Sequence, residues 1–424
     1  MKITFSTKTI FLPIMLLLKN IDLLAQNEKA IPDSAFLQQL MSAHPAYFET
    51  VMKQKDELKL QVIYTEVDRK KKGKPRFTDH FYQVDPNNYF YPASTVKLPI
   101  AILALQKLKE LNIPGLDRNT TMITGADGDG QTEVENDPTA PDGRPTISHY
   151  IKKILLVSDN DAFNRLYEFL GQEYIQNKLQ EMGYSDIQII HRLSITLTED
   201  QNRHTNPIRF IDTSGKVIYE KPAEKSKLVY NTRDTKIGRG YMKNGTLVNE
   251  PFDFTPKNRM SLQSLHLILR SVIYPEAMPA KQRFNLARDD YDFLRRYMSM
   301  RPSESRFPSY DTTEYWNNYV KMILLGTEKK TPDPSLRIFS KSGWSYGFLT
   351  DAVYVVDFKN KIEFMATATI YCNKDGILND DKYDYSTVGY PFMKHLGEVL
   401  YQYELSRKRK RQPELEVFEY NYAD

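Results

Sequence analysis

The chain has 424 residues, 41% of them hydrophobic and 26% charged, an ordinary globular composition with ample material for a large core. Its formal charge is +4, and residues 1–25 contribute three lysines and one aspartate, so the remainder carries +2 and offers no electrostatic case for a nucleic-acid partner. The 28 tyrosines, with no basic surface to accompany them, read as packing rather than as stacking platforms.

At the N-terminus, Lys2 and Lys8 precede the apolar run Thr9 to Leu18, and Leu23-Leu24-Ala25 offers a small residue for cleavage before Gln26. This is the pattern of a secretory signal, too short to span a bilayer, so residues 26–424 are expected as a mature chain with no membrane span. Cys372 is the single cysteine and cannot form an internal disulfide, which favours a bacterial periplasmic or secreted protein over a disulfide-rich one.

Residues 34–55 carry spaced apolar positions and predict a helix broken at Pro45. Leu58 to Val67 alternates, and after a basic stretch at 69–74 a second apolar run surrounds Phe81 to Val84, which predicts a hairpin. The basic stretch itself reads as a solvated turn. From Leu98 to Leu108 the sequence is apolar almost all round, as expected of a helix buried through the middle of a domain, and Asn112-Ile113-Pro114-Gly115 stops it. Residues 117–145 read as loop; their acidic group Asp127, Asp129, Glu133 and Glu135 lacks the spacing of a calcium loop.

A short helix over 146–157 then delivers Ser158-Asp159-Asn160, and Ala162 to Met182 is again helical. Residues 208–257 are polar with short alternating pieces and read as an inserted flap of hairpins that could roof a site. Helical patterns return at 261–273 and 287–300. Strand patterns follow at 337–343 and 351–371, with a turn at Lys359-Asn360-Lys361. A helix from about Thr387 to Leu405 precedes a charged tail over 406–424, expected to be mobile.

Three short motifs lie along this order: Ser94-Thr95-Val96-Lys97, Ser158-Asp159-Asn160 and Lys341-Ser342-Gly343. A serine hydroxyl needs a base to become a nucleophile, and residues three apart on a helix share a face, so Ser94 and Lys97 are expected to touch. Burial would lower the lysine pKa and make its amine a usable base. The pair sits where the apolar run begins, at a helix start with free backbone N–H groups, and Pro99 one turn inside should loosen that start.

The three motifs together resemble those of the class A β-lactamase-like serine hydrolases, over roughly residues 35–405. The resemblance implies an α/β fold of the α+β type: an antiparallel sheet from the N-terminal hairpin and the 337–371 strands, covered by the final helix. A helical subdomain over roughly 94–300 would face the sheet, with the site in the cleft between them. It implies one hydrolase domain over 26–405 and a monomer. Ser94 would be the acylated nucleophile, Lys97 its base or proton relay, and Ser158 the donor to the leaving nitrogen. Asn160 would hold Lys97 or a substrate amide. Lys341 would lend positive charge near Ser158 and a substrate carboxylate. Ser342, where the family more often has threonine, would donate to that carboxylate, and the N–H groups of Ser94 and Trp344 beyond Gly343 would form the oxyanion hole. No metal or other cofactor is implied. The expected substrate is a small-molecule or peptide amide: a β-lactam first, with a D-alanyl-D-alanine peptidase or a non-catalytic peptidoglycan-binding protein as the alternatives.

Two departures qualify the match. The chain between Asn160 and Lys341 is longer than usual for the family, which the 208–257 insert would account for. The segment His191 to Pro207 also lacks the pattern of the glutamate that activates the deacylating water in class A enzymes. Glu199 is the nearest carboxylate, and a salt bridge with Arg192 or Arg203 explains it equally well. His191 and His204, thirteen residues apart with no third ligand in view, do not make a zinc site.

Overall fold

The computed structural model describes residues 30–423, so the expected signal segment over 1–25 lies outside the described residues. The chain opens with helices α1 (Ala35–Ser42) and α2 (Pro45–Lys53). Pro45 takes the first position of α2, where its missing N–H costs nothing, so one amphipathic stretch becomes two helices. Strands β1 (Gln61–Arg69) and β2 (Pro75–Tyr82) pair antiparallel from Val62 opposite Tyr82 to Arg69 opposite Pro75, with the basic stretch at their turn.

The buried helix is α3 (Lys97–Leu111), closed by Asn112 in a left-handed conformation. It packs against α4 (Ile147–Val157), α5 (Asn160–Leu170) and, farther along the chain, α7 (Leu262–Ile273); α6 (Gln172–Glu181) follows α5 after Gly171. Gly171, at φ +75°, divides in two the single helix expected over 162–182. Helix α8 (Arg288–Ser299) leads toward the second half of the sheet.

That half consists of β3 (Leu336–Ser345), β4 (Phe348–Asp357) and β5 (Ile362–Tyr371). The sheet order is β3-β4-β5-β1-β2, antiparallel throughout. Every residue of β4 and β5 is buried, because both faces are covered. One face carries α7, and the other carries α1, α2 and the closing helix α9 (Tyr390–Ser406). This is the expected fold, an α+β sheet faced by a helical subdomain.

Three local expectations change. The strand patterns hide a hairpin turn at Tyr346-Gly347, two residues both left-handed (φ +53° and +81°), the geometry that matches the twist of a two-residue hairpin. Aromatic neighbours on both sides of the turn concealed it. Within the stretch read as loop, Thr121–Thr124 is a strand, paired with Ile208–Ile211 of the insert. Finally, residues 412–422 are not mobile in character: Leu415 and Phe418 are buried, and the Phe418 ring packs on Tyr354 at 5.0 Å and Phe339 at 5.7 Å. The preceding basic run is held as well, since Arg407 and Arg409 both pair with the fully buried Glu404.

Candidate active site

Ser94 lies in a single 3-10 turn, Ala93–Val96, that runs directly into α3. Ala93 is held at φ +46°, a conformation uncommon for a residue with a side chain and one that clusters at functional sites. No side chain caps the start of α3; the turn itself does so, its Ser94 and Thr95 carbonyls accepting from the Lys97 N–H.

Lys97 is fully buried. Its Nζ donates to the Ser158 carbonyl at 2.5 Å and to Asn160 Oδ1 at 2.6 Å, and reaches Ser158 Oγ at 3.3 Å. Among the described residues it makes no hydrogen bond to Ser94, contrary to the expected touch. Ser94 belongs to the tighter turn, while the lysine chain runs on to the acceptors that α4 and α5 present. Taking an ammonium out of water costs several kcal/mol. Each hydrogen bond to a charged group recovers only about 1.5–3 kcal/mol. Burial, with Lys341 close by and against the weaker pull of Asp159, therefore holds the Lys97 pKa well below the usual lysine value.

The acceptors are in place because of how two helices meet. Thr146 caps the start of α4 through His149 N–H at 3.1 Å, and Asp159 caps the start of α5 through Ala162 N–H at 2.8 Å. Ser158, the one residue between the helix end and that cap, is left-handed at φ +64°. That kink turns its carbonyl and hydroxyl back toward Lys97. Asn160 uses its other end to donate to Ser194 Oγ at 2.8 Å.

From the sheet, Lys341 Nζ donates to Ser158 Oγ at 2.9 Å and to the Ser342 carbonyl at 2.7 Å. Burial drops its pKa to about 7, with Asp351 opposing and Lys321 reinforcing the fall. A Cβ placed on Gly343 would stand 2.6 Å from Ser94 N and 2.8 Å from Thr95 N. Glycine is therefore what lets the edge strand β3 lie against the Ser94 turn. Ser345 and Phe348 close the hairpin, so the next pair, Trp344 and Leu349, falls in a non-hydrogen-bonded position and the Trp344 N–H points off the free edge, on the side of Ser94. The Trp344 ring itself packs on Tyr319, 6.1 Å away.

Ser342 lies elsewhere. Its hydroxyl is buried and donates to the Val320 carbonyl at 2.9 Å, beneath the sheet edge rather than in the cleft. Alternation along a strand turns neighbouring side chains to opposite faces, and here Lys341 takes the site face. Opposite Ser342, the buried Asp351 accepts from Met322 N at 2.8 Å and Ile323 N at 3.0 Å and has its pKa raised to about 6 by burial. Asp351 was missed from sequence, although a lone aspartate inside an apolar strand was a signal. Ser194 was missed with no such signal.

The segment over 191–206 carries no carboxylate to the Lys97–Ser158–Asn160 group. Glu199 opens a short helix, Glu199–Arg203, and accepts from Arg203 at 2.9 Å and 3.0 Å while more than half exposed. Arg192 instead pairs with buried Glu168 at 2.9 Å and ties down the Gln201 and His204 carbonyls. Among the described residues no three His, Cys, Asp or Glu side chains gather for a metal ion.

The fold is similar to several solved structures at low identity. A β-lactamase from Sphaerobacter thermophilus is 11% identical over 86% of this chain and 96% of its own, with a TM-score of 0.45. One from Xanthomonas campestris pv. campestris is 12% identical over 85% and 98%, with a TM-score of 0.47. A class A β-lactamase from Clostridium kluyveri is 15% identical over 84% and 98%, with a TM-score of 0.45. No curated protein matches the chain. The family model Beta-lactamase2, described as a beta-lactamase enzyme family, matches residues 46–403, which is most of the chain, and the protein belongs to that family.

Proposed function

We propose that the protein is an exported serine acyltransferase-hydrolase that takes the acyl group of a β-lactam or related amide onto Ser94 and releases it slowly. The observation that carries this reading is the hydrogen-bond chain from Lys97 through Ser158 to Lys341, set beside a serine whose own hydroxyl is unengaged among the described residues. Neutral Lys97, which must first turn from its Ser158 and Asn160 acceptors to Ser94 Oγ, takes the Ser94 proton as Oγ attacks the carbonyl carbon, and the N–H groups of Ser94 and Trp344 stabilise the oxyanion. As the C–N bond breaks, Ser158 gives its proton to the leaving nitrogen and is reprotonated from the Lys97 side. Lys341 keeps positive charge beside Ser158 and the substrate carboxylate.

Slow release follows from the 191–206 segment. Asn160 is bonded to the hydroxyl of Ser194 rather than to a carboxylate, and Glu199 is engaged by Arg203. A missing general base removes about 10²- to 10⁴-fold from the step it serves. The deciding experiment is a time course of intact mass after mixing with a penicillin. A gain of the drug's mass that persists for hours, and is absent in Ser94→Ala, supports the reading. A gain that vanishes within seconds indicates fast β-lactamase turnover, and no gain with no hydrolysis rejects acylation altogether. Mass spectrometry of the N-terminus of the protein from its native cell tests export, with Gln26 expected as the first residue.

A further inference from the structure

Beside the Ser94 turn, a cavity of about 370 Å³ opens between the 190–199 segment, the end of the insert and the β3–β4 turn. Tyr91, three residues before Ser94, forms one wall, and Tyr346 meets it edge-on at 5.1 Å. Phe252 and Phe254 of the insert pack on Tyr346, each ring 5.4 Å away, and Phe254 also meets Tyr91 at 5.9 Å. Ser194, the partner of Asn160, lies on the cavity's inner wall. The Ser194 hydroxyl therefore ties this wall to Asn160 and, through it, to Lys97.

Two polar groups in this aromatic setting lack partners. The Lys257 ammonium makes no hydrogen bond or ion pair among the described residues and meets only the faces of Phe252 and Tyr346, at 5.8 Å and 6.0 Å. His191 bonds the Arg192 carbonyl through Nδ1 at 2.7 Å, which places the proton on Nδ1, and leaves Nε2 buried with no partner. Burial holds this imidazole neutral, with its pKa lowered to about 4, so Nε2 is an acceptor. Asn258 accepts from the N–H groups of Ile190 and His191, at 2.8 Å and 3.2 Å, and so fixes the Lys257 end of the insert against the His191 segment. An ammonium without an ion-pair partner among the described residues, on the wall of a cavity whose lining mixes aromatic rings with polar groups and includes the Arg203-bound Glu199, is the composition of a ligand subsite.

We infer that this cavity is an acyl-side subsite selecting substrates that carry a second carboxylate, bound by Lys257. The inference rests on the acyl-serine reading above and adds the substrate class to it. The insert thus contributes a charge that recognises the acyl group, separate from Lys341, which faces Ser158.

The test compares benzylpenicillin with its α-carboxy derivative, which differ by one carboxylate on the acyl side chain. The measured quantity is the ratio of their labelling rates in the full chain, and of their dissociation constants in Ser94→Ala. A charge-assisted contact of ordinary strength corresponds to about tenfold or more. Lys257→Gln is expected to lower both ratios about tenfold, and Lys257→Arg to restore most of the loss. Ratios that are the same in the parent and in Lys257→Gln overturn the subsite, as does failure of both compounds to bind Ser94→Ala. If the parent takes up no label while Ser94→Ala still discriminates through Lys257, the acyl-serine reading fails and the subsite stands.

Discussion

The two walls of the cleft are built to different standards. On the side of α3 and β3, Lys97, Ser158, Asn160 and Lys341 are locked by buried hydrogen bonds, and a glycine is required for the strand to reach the serine. On the side of the 191–206 segment, the backbone is held as firmly, by Arg192, Asn202 and the Thr198 capping box, yet no acid of this segment bonds Lys97, Ser158 or Asn160: Glu199 lines the neighbouring cavity and is engaged by Arg203. Rigidity is therefore common to both walls, and what differs is the chemistry each presents. The first wall has what the proposed attack of Ser94 on an amide needs. The second has a hydroxyl where activation of water would call for a carboxylate.

The largest expected effect tests the first wall at its base. Lys97→Met should slow penicillin labelling by about 10²- to 10⁴-fold, the usual size of a general-base contribution. A loss under about threefold, read by mass spectrometry, would break the contrast by showing that the lysine does no proton work. Next comes the contact between strand and turn. In Gly343→Ala the added methyl meets backbone atoms of Ser94 and Thr95, which cannot swing aside as a side-chain end could, so the oxyanion donors move apart. Misplacement of about 1 Å at a reacting centre costs on the order of 10²-fold. Labelling should fall by that amount while circular dichroism stays unchanged.

The second wall can be sharpened instead of broken. Ser194→Glu places a carboxylate next to Asn160, and the lifetime of the penicillin adduct should shorten about tenfold, a part of what a well-placed base supplies. An unchanged lifetime would locate the water elsewhere. A smaller effect concerns pH. Lys341 carries its charge below about 7 and loses it above, so labelling should decline on the alkaline side of that value, whereas the acid limb belongs to protonation of Lys97. Lys341→Arg, which cannot lose its charge in this range, should move the alkaline limb upward in rates measured from pH 5 to 9. The smallest effect is at Glu199. Glu199→Gln should leave the adduct lifetime within about twofold and cost only about 0.3–0.5 kcal/mol of stability, as for exposed helix ion pairs.

Spacing by itself determined much of this protein. The Ser-x-x-Lys at the start of an apolar run, the Ser-Asp-Asn between two helical patterns and the Lys-Ser-Gly on a strand are local signals, and each lies on the element its neighbours imply. The broken N-terminal helix and the first hairpin were equally legible, because proline and alternation act within a few residues. Other features depend on groups far apart in sequence. That Lys97 turns to Ser158 and Asn160 rather than to Ser94 follows from where α4 and α5 end against α3. That Ser342 faces Val320 depends on the phase of β3 against its neighbours, and a strand's phase is fixed by what covers each face. The docking of the C-terminal residues depends on Glu404 being buried with two arginines to satisfy it. That the 191–206 segment gives Asn160 a hydroxyl and no carboxylate likewise belongs to the tertiary structure. Glu199 sits at a plausible distance along the chain, and the folding of its helical turn onto Arg203 ties its carboxylate there, on the cavity wall and not at Asn160.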